Sequence, residues 1–230
     1  LEAWRTLNDF YAGRRWQGSA MPRSIGDSLD LLDDGLRALS AFHGLTHENM
    51  TRNYGWSFLD MGRRLSRAAH LSELLLGIFG KASTGADDIG NLSFVLELAD
   101  SFITYRSRYR MAPVLPLVLD LLLVDESNPR SIAFQLAALV QHIDTLPQSG
   151  EGGGRIDEQR TALTLLTQVR VAQASELAKI GPDGRRAELE AMLSQQVASL
   201  PQLSDAIGRR YFNLVEKGAR RVRARSRVEP

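Results

Sequence analysis

Apolar residues return every three or four positions along most of this chain, and no stretch alternates apolar with polar residues as a half-buried strand would. Residues 2–14 read as a first helix, ending at Gly13 or just beyond, and residues 18–22 as a loop. Ser24 can cap a second helix, in which Leu29, Leu32, Leu36 and Leu39 recur at helical spacing. Gly44 is expected to break that helix, and Thr46 is a second capping candidate. The clearest element spans residues 56–79, with an apolar stripe of Leu65, Ala68, Leu71, Leu75 and Ile78. Gly80, Gly85 and Gly90 mark a loop; Leu92, Val95, Leu96, Ala99, Phe102 and Ile103 then predict one amphipathic helix.

Pro113 and Pro116 suit the first turn of the next helix, which should run to about Val124. Asn128 followed by Pro129 predicts another start, carrying Phe134, Leu136, Leu139 and Ile143. Gly150, Gly152, Gly153 and Gly154 make residues 148–155 the best linker. Three further helices are predicted over residues 157–179, 185–199 and 203–222, with Pro201 ending the second. The expectation is an all-α fold, an antiparallel multi-helix bundle of roughly eight helices. Residues 1–147 would form its core, 148–155 a Gly-rich loop, and 156–230 helices packing on the same bundle.

Composition narrows the chemistry. With no cysteine among 230 residues, disulfides, thiolate metal sites and cysteine nucleophiles are excluded. That fits a reducing compartment, and a cytoplasmic location is the expectation. No apolar run approaches the roughly 20 residues of a membrane span. The chain opens on Leu1 in helix-like sequence, as expected of a piece of a longer polypeptide. A net charge of +1 conceals a polar layout: residues 208–230 carry eight Lys or Arg against two Glu. Such a tail can attract nucleic acid, anionic lipid or an acidic partner, or simply be a solvated end.

No phosphate loop, dinucleotide fingerprint, nucleophile elbow or His-Glu-x-x-His is present. His43 and His47, four apart, could share a helix face for a metal, but Gly44 is expected to separate them, and no metal or cofactor is expected. The arginines say more. Asp60, Arg63, Arg64 and Arg67 line one helix face, and Arg forks match carboxylates and phosphates. A second basic group holds Tyr105, Arg106, Arg108, Tyr109 and Arg110; a third is Asn128-Pro129-Arg130-Ser131 at a helix start. If the three converge, Arg63, Arg67, Tyr105, Arg106 and Arg130 would bind an anionic group. Otherwise they are salt bridges, with Asp60, Glu97, Asp100, Asp120 and Asp125 as partners.

The run Gly55-Trp56-Ser57-Phe58-Leu59-Asp60-Met61-Gly62-Arg63-Arg64-Leu65-Ser66-Arg67-Ala68 resembles the alpha-E domain family, helical domains with a Glu-Arg motif. Ile103-Thr104-Tyr105-Arg106, residues 121–125, Asn128-Pro129-Arg130-Ser131 and Leu203-Ser204-Asp205-Ala206-Ile207 carry the likeness through most of the chain. Gly62, Arg63, Arg67 and Ala68 match the motif, whereas Ser66 stands where its Glu would be and Ala69 where an acid follows. The family occurs beside or fused to circularly permuted ATP-grasp proteins. The resemblance therefore implies an accessory module in an amide-forming or peptide-modifying system, with an ATP-grasp-type ligase or fused domain as partner and a peptide-like or anionic ligand. Catalysis by the chain itself would need a base, for which His70 and Glu73 are the candidates. Nucleic-acid binding through the basic tail is the remaining alternative.

Overall fold

The computed structural model describes residues 2–12, 24–80, 89–147 and 156–212. Helices hold most of these residues, with no strand among them. Two compact units divide at Trp56 and Ser57.

The first unit pairs α1 (Glu2–Ala12) with α2 (Ile25–Asn49). Ser24 caps α2, its hydroxyl accepting from the Asp27 amide at 3.0 Å. Gly44 does not break α2, and Thr46 is no cap: its hydroxyl donates to the Phe42 and His43 carbonyls within the same helix. One glycine costs a helix interior only about 1 kcal/mol, too little to stop 25 residues. The face of α2 that is turned inward carries Gly35 and Thr46, with Ser28, Leu31, Ala38 and Phe42 partly covered. The leucines at 29, 32, 36 and 39 lie on another face and are exposed. Because α2 is continuous, the His43 and His47 rings stand 6.1 Å apart on one side of it. Among the described residues, no three His, Cys, Asp or Glu side chains gather as metal ligands.

The second unit holds α3 (Tyr54–Phe79) from Ser57 onward, α4 (Ile89–Leu98), α5 (Phe102–Tyr109), α6 (Leu115–Leu119), α7 (Ile132–Thr145), α8 (Asp157–Val171), α9 (Ala174–Leu177) and α10 (Ala187–Tyr211). Its core is leucine-rich: Leu75, Leu96, Leu119, Leu121, Leu122, Leu123, Leu136, Leu139 and Leu193 have no exposed surface. No described helix is long and apolar enough to cross a membrane.

Several breaks fall where periodicity did not predict them. The expected single helix after Gly90 is two. The Ser101 amide bonds the Leu96 carbonyl and the Asp100 amide that of Glu97, while Asp100 adopts φ +49. This is the double closure that ends a helix on a left-handed residue. At the next start α6 runs only to Leu119 before a π-helical turn, Asp120–Val124, continues it. Asn128 is not the cap of α7. That role belongs to Ser131, whose hydroxyl accepts from the Phe134 amide at 3.0 Å. Asn128 instead folds the turn, accepting from the Arg130 amide and donating to the Leu121 carbonyl. The predicted helix over 157–179 splits at Ala172 and Gln173. Pro201 sits inside α10 rather than ending it. The buried positions Leu193, Gln196, Leu200, Leu203 and Ile207 continue across the proline, so packing outweighs the lost amide bond.

Candidate functional site

The α3 face that carries the arginines is also where polar groups tie the second unit together. Asp60 is 3% exposed and sits at the centre. Its carboxylate accepts from Arg64 Nε at 3.0 Å, from Arg63 Nη1 at 3.3 Å and from His142 Nε2 on α7 at 2.9 Å. Burial alone would raise its pKa, but the His142 hydrogen bond and the Arg64 charge outweigh burial and hold it below the ordinary carboxylate value. Arg64 also donates to Gln135 Oε1 at 3.1 Å, and Gln135 Nε2 donates to the Pro129 carbonyl at 2.6 Å. Two polar bridges thus join α3 to α7 in antiparallel register, 60 with 142 and 64 with 135.

The same register carries Arg67, one turn on, toward the start of α7. A cleft of about 230 Å³ opens there, between α3, the end of α4 and the residues leading into α7. Arg67, His70 and Arg130 line it with Ser66, against an apolar wall of Leu71, Leu74, Leu98 and Ala99. Arg130 pairs with Asp100 at 2.5 Å, an exposed bridge of small worth. Among the described residues Arg67 makes neither an ion pair nor a hydrogen bond. Partial desolvation, then the positive charges of Arg130, Arg64 and Arg63, lower its pKa. The Asp60 charge opposes that shift without reversing it, so Arg67 is a cation of the cleft that no ion pair satisfies among the described residues.

His70 Nδ1 lies 2.7 Å from the Ser66 carbonyl. A carbonyl oxygen only accepts, so Nδ1 carries the hydrogen. In the neutral ring Nε2 is then the acceptor left for a ligand.

Of the five residues predicted to hold an anion, Arg67 and Arg130 line the cleft. Arg63 is committed to Asp60. Arg106 is exposed on α5, with its guanidinium 6.0 Å from the Phe102 ring centre. Tyr105 has no exposed surface, and its hydroxyl donates to the Ala112 carbonyl and accepts from the Val114 amide, both at 3.2 Å. It closes the loop between α5 and α6 instead of facing a ligand. Tyr105→Phe should cost about 1 kcal/mol of stability and leave anion binding intact; thermal unfolding alongside ligand titration checks both. Two others of that group are also engaged: Arg108 pairs with Asp125, and Tyr109 donates to Asp120 at 2.5 Å; Arg110 is the exposed left-handed residue that ends α5. Gln135 and His142 escaped sequence reasoning. Their signal was a seven-residue spacing that puts both on one face of α7.

These positions lie within a known family. The Alpha-E family, described as a predicted alpha-helical domain with a conserved ER motif, matches residues 1–212. The chain belongs to it. Uncharacterized proteins of Mycobacterium bovis and of two Mycobacterium tuberculosis strains are each 29% identical to it over 172 residues, covering 75% of this chain and 19% of theirs. This Alpha-E chain thus spans about a fifth of the length of those relatives. No solved structure matches it. Ser66 and Arg67 both line the cleft.

Proposed function

We propose that this Alpha-E domain is a binding module that holds an anionic group in the Arg67–Arg130 cleft, as the accessory part of an ATP-grasp-type amide-forming system. The observation that carries the reading is Arg67, a cation beside three other arginines with no carboxylate of its own among the described residues. Two guanidinium groups facing one cleft repel each other, and a carboxylate or phosphate between them would relieve that repulsion through charge-assisted bonds. The much greater length of the relatives supports a module within a larger assembly. The ATP-grasp partner rests on the family resemblance.

A residue kept for binding rather than architecture has a distinct signature. Arg67→Gln should leave unfolding stability within about 0.5 kcal/mol of the parent or raise it, because the substitution removes repulsion and breaks no bond. It should abolish the rise in melting temperature produced by acetate, glutamate or phosphate. Co-purification with a neighbouring ATP-grasp ligase tests the partner. Loss of stability without loss of any ligand response would make Arg67 architectural and reject the reading.

A second reading, an enzyme using His70 as base, is favoured by the place of His70 in the same cleft. Glu73, the other candidate base, does not line it. The basic tail from residue 213 onward lies outside the described residues.

A further inference from the structure

The cleft presents three kinds of recognition group side by side, and together they specify more than an anion. Arg67 and Arg130 offer forked donors to a carboxylate or phosphate. His70, with Nδ1 turned to its own helix, offers Nε2 as an acceptor for an N–H. Leu71, Leu74 and Leu98 offer an aliphatic wall. A group bearing a negative charge, an N–H and an aliphatic chain on adjacent atoms is the last residue of a peptide.

We infer that the cleft binds the free carboxyl end of a peptide whose final residue is aliphatic. This rests on the anion-binding reading above and narrows it to one ligand class. Size supports the narrowing: about 230 Å³ is smaller than the roughly 300–1,000 Å³ of sites for drug-sized ligands. One terminal residue fits where a nucleotide does not. Charge supports it as well. Asp100 stands 2.5 Å from the Arg130 guanidinium, so a dianion would meet a carboxylate at the rim, whereas a carboxylate brings a single charge. The apolar surface also continues outward from Leu98 to Phe94, one turn earlier on α4 and likewise exposed, which gives the preceding peptide residue something to cover.

The test is calorimetric titration of the full 230-residue chain with four probes: N-acetyl-alanyl-leucine, the same dipeptide with an amidated end, N-acetyl-alanyl-aspartate and inorganic phosphate. The free leucine end should bind about tenfold or more tightly than the amide, and more tightly than the aspartate end or phosphate. Arg67→Gln should remove binding of the free end while circular dichroism stays unchanged. Leu98→Ala should reduce the preference for leucine over aspartate and leave phosphate affinity unchanged. Equal binding of free and amidated ends, or of leucine and aspartate ends, overturns the inference. If phosphate or the aspartate end still binds through Arg67, the anion-binding reading survives that result. If no probe binds, both fall.

Discussion

Replacing Asp60 with alanine is expected to destabilise the unit that begins at Ser57 by about 3 kcal/mol. The carboxylate is 3% exposed and three donors converge on it. Removing it leaves Arg63, Arg64 and His142 facing one another with side chains only 23%, 17% and 16% exposed. An uncompensated buried charge costs more than the pair was worth. Asp60→Asn should recover little, since an amide keeps the shape but not the charge. The loss should also depend on pH. The folded protein holds this carboxylate ionised to lower pH than the unfolded chain does. Its contribution is therefore complete above the unfolded aspartate value of about 3.9 and disappears as the pH falls through the lower folded value. Parent and Asp60→Asn stability curves should accordingly converge in acid. Far-ultraviolet circular dichroism in urea is the right probe, because the described residues of this unit are mostly helical. A parent and variant that differ by the same amount at neutral pH and well below the folded value would refute the hub role.

Arg186→Leu should cost a similar amount, about 3 kcal/mol. Arg186 is 1% exposed, the largest of the fully buried side chains. Its Nη1 donates to the Phe79 carbonyl at 3.0 Å and its Nε to the Ala178 carbonyl at 3.2 Å. Phe79 ends α3 and Ala178 caps α9, so the guanidinium satisfies carbonyls at two helix C-termini, where positive charge is favoured. Leucine would fill much of the volume and leave those oxygens buried without that donor. Arg186→Lys should rescue only part, because a compact ammonium does not span two acceptors in the fork geometry of arginine. Urea unfolding of the three proteins gives the order directly. A leucine variant as stable as the parent would show that packing, not the hydrogen bonds, holds this junction.

The helical class and the longest elements were legible because α3 and α7 repeat apolar positions at the helical period, and that period survives without tertiary knowledge. Of the expected charge partners, Asp60, Asp100 and Asp125 form ion pairs, whereas Asp120 accepts from the Tyr109 hydroxyl and Glu97 makes no ion pair among the described residues. What failed were local stop signals. Gly44 and Pro201 carry intrinsic penalties of helix-breaking type, yet both sit within helices of 25 residues. A penalty of one residue does not compete with the packing of many. Tyr105 failed for a different reason. It sits among exposed arginines on α5, and nothing in that neighbourhood reveals that its ring turns to the core. The cleft was half legible: Arg67 and Arg130 were named, but the pairing of α3 with α7 that unites them required Gln135 and His142. Nothing in the sequence pointed to Arg186, which stands at the start of α10, where dipole preferences argue against a cation.

The π-helical turn at Asp120–Val124 has a consequence for how this domain can vary over time. Such a turn accommodates one residue more than an α-helix would, so the number of residues in it sets the direction in which the chain leaves it. Loss of a single residue there would return the segment to ordinary winding and swing everything after it by about 100° around the axis. The Asn128 turn, and with it Arg130, would rotate away from Arg67. Here chain length, more than residue identity, is what inheritance has to preserve, and the two halves of the cleft are kept in phase by counting.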